Sequence, residues 1–169
     1  MHQSDQLLHS QRACLWTSRS GRRRANSEAA PTRLLFVQPP PDTKDWTWTL
    51  TRRCDQCGLS AGDIKPEDFA ERAFIAGEEW VQILRSSPAV AARPSPAVWS
   101  PLEYGAHVRD VYLLFDARLS QMLNEDSPTF TNWNQDETAI KEAYGEQDPE
   151  VVADELEAAA QRFVARIQS

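Results

Sequence analysis

Eleven prolines punctuate the 169-residue chain, and their positions limit its fold more than any other feature. Inside a helix a proline removes a hydrogen bond and clashes with the preceding turn, whereas in the first helical position its missing N–H costs nothing. None interrupts a stretch of helical period, and Pro66, Pro101 and Pro149 stand where such stretches begin. After Pro66, the residues Phe69, Ala73, Ala76, Trp80, Ile83 and Leu84 recur at spacings of three and four until Ser86-Ser87-Pro88 stops the pattern. Ser100-Pro101-Leu102-Glu103 joins a Ser cap, a helix-starting Pro and a Glu able to close a capping box. The helix it opens should run to Asn124, with Tyr104, Val108, Val111, Leu114, Phe115, Leu119 and Met122 on one face and Arg109 and Asp116 facing away. Asp148-Pro149-Glu150 opens the third long helix, whose Val152, Leu156, Ala159, Ala160, Phe163 and Ile167 share a face. A shorter helix is expected from Asp136 to Tyr144, ended by Gly145.

Before these helices, Asp45-Trp46-Thr47-Trp48-Thr49-Leu50-Thr51 alternates strictly and predicts an extended arm that lays two indoles on the body of the protein. It has no second strand to pair with, and there is no internal repeat. The expected class is all-α, with bundle-like packing.

The net charge of −7 argues against a general nucleic-acid binder or a basic membrane-surface protein. Charges and prolines break every apolar run well short of the roughly 18 to 20 residues that span a bilayer, so no membrane crossing is expected. That charge is unevenly spread. Residues 1–38 carry six Arg against Asp5 and Glu28, a balance of +4, which leaves −11 on residues 39–169. The first segment is rich in Ser, Gln and Arg without a sustained period, and reads either as a disordered extension or as a functional basic tail or address. With Pro39-Pro40-Pro41 as the boundary, residues 1–41 are expected to be a disordered basic leader and residues 42–169 a helical body. The three cysteines, Cys14, Cys54 and Cys57, are odd in number and follow no secretory signal, so reduced thiols in the cytoplasm are expected.

Two places could carry chemistry. His107 is the only histidine outside the leader, and at about 100° per residue it falls between Leu114 and Val111, which points its imidazole toward the bundle interior. Such a histidine is either a hydrogen-bonded core residue or a metal or catalytic group. Glu103 and Asp110, three or four residues away, could orient the ring or be solvated surface charges. Gly105 beside it allows a close helix approach. The other place is Cys54-Asp55-Gln56-Cys57-Gly58, where the turn brings two sulfurs to one side and Gly58 permits the left-handed backbone of a metal knuckle. Three readings stay open for this pair: half a zinc site, a thiol-exchange pair, or two small buried residues. Asp154, Glu155 and Glu157 read as a solvated face. The chain has no phosphate-binding Gly-rich loop, no nucleophile elbow and no His-Glu-x-x-His motif.

Several strings carry a resemblance. Trp99-Ser100-Pro101-Leu102-Glu103-Tyr104-Gly105-Ala106-His107-Val108-Arg109-Asp110 resembles the second-helix motif of the DinB-like superfamily, which includes thiol-dependent transferases and the mycothiol-dependent maleylpyruvate isomerase. Asp42 to Trp48, the Cys54/Cys57 pair, Phe130 to Asp136 and Tyr144 to Pro149 are similar to an actinobacterial branch of it, so the likeness covers about residues 42 to 168. It implies a four-helix bundle, a divalent metal such as zinc or nickel held by three histidines, and a low-molecular-weight thiol such as mycothiol as partner. His107 matches the ligand of the second helix. The other two, a His-x-x-x-His pair on a fourth long helix, have no counterpart before Ser169, so a bundle with three long helices, an apolar face left exposed and weak or absent activity are expected. The rival expectation is a non-catalytic helical interaction module, dimeric through that face, with a Cys54/Cys57 zinc knuckle.

Overall fold

A computed structural model describes residues 47–55 and 57–169, and the leader lies outside the described residues together with Trp46. Of these, residues 47–65 belong to one compact unit and Pro66–Ser169 to another. The second unit holds α1 (Phe69–Ser86), α2 (Pro101–Asn124), α3 (Gln135–Lys141) and α4 (Pro149–Ile167). Among the described residues there is no strand, only an isolated bridge between Ser95 and Val98. The protein is mainly helical, as its proline spacing requires.

Three of the four helices start where a side-chain cap dictates. At α2 the Ser100 hydroxyl accepts from the Glu103 N–H at 3.2 Å while the Glu103 carboxylate accepts from the Ser100 N–H at 2.8 Å, with Pro101 in the first turn. Asp148 caps α4 by accepting from the N–H groups of Glu150 and Val151, and Asn134 caps α3 in the same way through Asp136 and Glu137. Pro66 opens a short 3-10 turn, Pro66–Asp68, that leads into α1. α3 is shorter than its sequence suggests, and Ala143 at φ 47°, not Gly145, turns the chain out of it.

α4 packs along both α1 and α2. Its Val152, Ala153, Leu156, Ala159 and Ala160 are buried against Val81 and Leu84 of α1 and Leu102, Ala106 and Tyr112 of α2, with Ala139 and Tyr144 closing one end. Burying each larger aliphatic side chain here stabilises the fold by about 1.5–3 kcal/mol. Two glycines permit the close approach: a Cβ on Gly77 would lie 2.8 Å from the Ala160 Cβ, and one on Gly105 would lie 2.7 Å from Leu84 Cδ2.

The buried stripe of α2 differs from the expected one. Leu102, Gly105, Ala106, Arg109 and Tyr112 face inward, whereas Phe115 and Met122 are 46% and 51% exposed. Small residues win this face because helix axes can approach closely only over small side chains, and α4 offers alanines in return. Arg109 is therefore buried rather than turned away, and Asp116 is paired with Arg166 of α4 at 2.5 Å. Phe69 of α1 is likewise exposed, and Ala70, Gly77, Val81 and Leu84 form its buried line.

In the first unit the expected extended arm is a 3-10 turn, Thr47–Leu50. The Trp48 carbonyl accepts from the N–H groups of both Thr51 and Arg52, and the Arg52 guanidinium lies 4.6 Å from the Trp48 ring centroid. Alternation of Trp and Thr records β propensity, which local turn hydrogen bonds override here.

Candidate functional site

Three segments converge on His107. Trp99 precedes the α2 cap, His107 sits two turns into α2, and Trp133 lies just before α3. The imidazole stacks on the Trp133 indole at 5.4 Å between centroids and 4° between planes, and the Trp99 ring lies 5.6 Å away at 55°. Trp99 continues the aromatic contacts through Tyr104 at 5.4 Å and Tyr144 at 6.2 Å, and Tyr104 meets Trp80 of α1. His107 thus faces the segment between α2 and α3, not the α1/α4 seam that its position between Leu114 and Val111 implied.

Two ring nitrogens in this cluster, His107 Nδ1 and Trp99 Nε1, are buried without a hydrogen-bond partner. Burial pushes the imidazole below its ordinary pKa of 6.5, and the opposing charges of Asp110 and Asp136 do not reverse this. The ring is neutral at pH 7, the form that can donate a lone pair to a cation. Neither neighbouring carboxylate orients it through a hydrogen bond. Glu103 accepts from Arg93 Nε at 2.8 Å and from Ser100, and Asp110 accepts from Arg109 Nε at 2.8 Å and from the Tyr144 hydroxyl.

Arg109 is the residue that periodicity missed. Its Nη1 donates to Gln147 at 2.9 Å and to Glu155 at 2.7 Å, so one side chain ties α2 to α4 and to the turn before it. With Asp110, Leu113, Glu142 and Arg162 it lines a groove of about 760 Å³ that does not include His107. Glu155 is consequently more than a solvated charge, and Asp154 and Glu157 both accept from Arg85 of α1. No sequence signal announced these pairs, because an Arg between apolar residues reads as an outward position.

Cys54 and Cys57 are both buried, but Cys54 keeps its thiol whereas Cys57 is disulfide-bonded. The expected pair of reduced thiols is thus corrected: the two sulfurs are not both available to one metal ion or as a dithiol. Gly58 takes φ +75°, its N–H donates to the Cys54 carbonyl at 2.8 Å, and the Cys54 N–H donates to the Leu59 carbonyl at 2.7 Å. This is the tight turn the spacing implied. Arg53 Nε donates to the Gly58 carbonyl at 2.7 Å and so fills the space a Gly58 side chain would need.

Among the described residues no group of three or more His, Cys, Asp or Glu is placed to share a metal ion. One neutral imidazole is a single donor where a catalytic zinc takes about three, so the described residues do not fit such a centre. No helix among them is long and apolar enough to cross a membrane. No family model, curated protein or solved structure matches the chain.

Proposed function

We propose that the chain is a helical scaffold of the DinB-like lineage of thiol-dependent transferases and isomerases, in which His107 keeps the position of a metal ligand but thiol transfer is weak or absent. The observation that carries this reading is the state of His107. It is neutral, in contact with two indoles and unpartnered at Nδ1, with no set of metal-binding side chains assembled around it among the described residues. A merely structural histidine would be expected to spend its buried nitrogen on a protein hydrogen bond. The test uses the full chain purified, stripped and reloaded with zinc or nickel. Metal retention that falls in His107→Ala and is indifferent to Cys54→Ser supports the reading. Substantial transfer of mycothiol or another small thiol by the loaded protein would overturn its second half.

A second reading, a non-catalytic interaction module that pairs with a second copy, is favoured by the C-terminal half of α2, where Phe115, Met122 and Leu123 are 46–59% exposed. A dimer in sedimentation would place this reading ahead.

A further inference from the structure

The segment that carries Trp133 is attached unlike the rest of the fold. Between Asp126 and Trp133 no backbone group joins a backbone–backbone hydrogen bond among the described residues. Ser127, at its start, takes φ 53°, a conformation that side chains other than glycine rarely adopt. What holds the segment is a short set of side-chain contacts. Arg118 of α2 donates to the Thr131 carbonyl at 2.9 Å while its guanidinium lies 5.4 Å from the Phe130 ring and 5.7 Å from Phe115. Further along, the Trp133 Nε1–H donates to the Thr138 hydroxyl at 2.8 Å. The last contact is the stack on His107 itself. Phe115 and Phe130 are substantially exposed, so the Arg118 contacts are made at the surface. All these contacts can release while every helix stays intact, which is the property of a low-stability opening unit.

We propose that residues 126–133 form a hinged strap between the end of α2 and the Asn134 cap of α3, and that Trp133 is the gate it carries over His107. With the strap down, the indole covers one face of the imidazole; with it lifted, that face is open to an incoming electrophile. The gate would regulate the position read above as a metal ligand, and so rests on that reading for its purpose, but its geometry needs no metal. Arg118 and Thr138 are positioning residues: they hold the strap and do not touch the ring.

The test follows carbethoxylation of His107 by diethyl pyrocarbonate in the metal-free full chain, mapped by mass spectrometry so that His2 and His9 are counted separately. At pH 7.5 an imidazole with a pKa at or below 6.5 is neutral in nearly every molecule, so altered protonation cannot account for a faster reaction. Trp133→Ala should accelerate modification at His107 roughly tenfold, and Arg118→Gln and Thr138→Val, which leave the indole in place, by roughly two- to threefold. Leu84→Ala weakens the core without touching the strap and should react at the wild-type rate. Wild-type rates in Trp133→Ala would overturn the proposal, as would equal acceleration in Leu84→Ala, which would assign the exposure to unfolding of the whole domain. Because the readout is covalent modification, a chain that binds no metal at all can still support the gate, and failure of the gate leaves the metal question to its own assay.

Discussion

The two flanks of α2 place different residues under burial. Toward α1 and α4 lie Leu102, Gly105, Ala106, Arg109 and Tyr112, and the polar groups among them have partners: Arg109 holds Asp110, Gln147 and Glu155, and Tyr112 donates to the Ala73 carbonyl at 2.6 Å. Toward the strap lie His107 and Trp133, both half-buried, and they meet the buried Trp99; two ring nitrogens of this group, His107 Nδ1 and Trp99 Nε1, have no partner. An unpaired buried polar atom costs about 1–3 kcal/mol. The second flank therefore gives up stability that the first does not, and candidate function belongs on that side.

The largest difference should appear on truncation. Leu156→Ala removes a fully buried side chain from the seam and should cost about 2–5 kcal/mol, because α4 cannot collapse into the space without losing its contacts to both neighbours. Trp133→Ala removes more atoms yet should cost less than Leu156→Ala, since its ring is half-buried and its segment has no backbone ladder to lose. Denaturant midpoints at unchanged slope measure both. Equal losses would erase the distinction between the flanks.

A finer comparison lies within the seam, at its two glycines. Ala on Gly77 would meet the Ala160 Cβ, an atom with no rotamer to change, so backbone must shift, and a loss of about 1–3 kcal/mol is expected. Ala on Gly105 would meet Cδ2, Cδ1 and Cγ of Leu84 at 2.7–3.0 Å, a buried side chain that still has rotamers through which to adjust, so the loss is expected to be smaller. The gain of up to about 1 kcal/mol from better helix propensity is common to both sites. Thermal unfolding should rank Gly77→Ala below Gly105→Ala; the reverse order would show that α1 and α4 yield more readily than a buried leucine.

The same flanks explain how far the sequence could be read. Boundaries were legible because caps are local: Ser100 with Glu103, Asp148 with Pro149, and the stop after Ser86 all stand where the structure has them. Which side of α2 faces inward was not, because hydropathy counts Phe115 and Met122 as core while the seam selects Gly105 and Ala106 for their small size. Arg109 follows from the same rotation. His107 was legible as an unusual residue, but its neighbours were not, since Trp133 reaches it from 26 residues away in sequence through a connecting segment. The Cys54 to Gly58 turn was legible from its spacing alone, because that geometry closes within five residues.

The smallest effects separate the α2 cap from His107 by pH. At the N-terminal cap of α2, burial raises the Glu103 carboxyl pKa, but hydrogen bonds from Arg93 and Ser100 outweigh it and hold the group below its ordinary value of 4.5. A depressed carboxylate contributes stability that is present above the unfolded pKa and lost as pH falls through the folded one. Glu103→Gln should therefore flatten the stability profile below pH 4.5 and leave it parallel to wild type above. His107 acts in a different window. Its folded pKa is also lowered, so the unfolded chain takes up the proton first, and stability declines as pH falls below 6.5 until the folded ring is protonated too. His107→Phe keeps an aromatic surface under Trp133 and has nothing to protonate, so its metal-free profile should stay flat just below pH 6.5, where wild type begins to fall. A wild-type slope persisting in that variant would mean that the imidazole is already solvated, with the Trp133 stack open in solution.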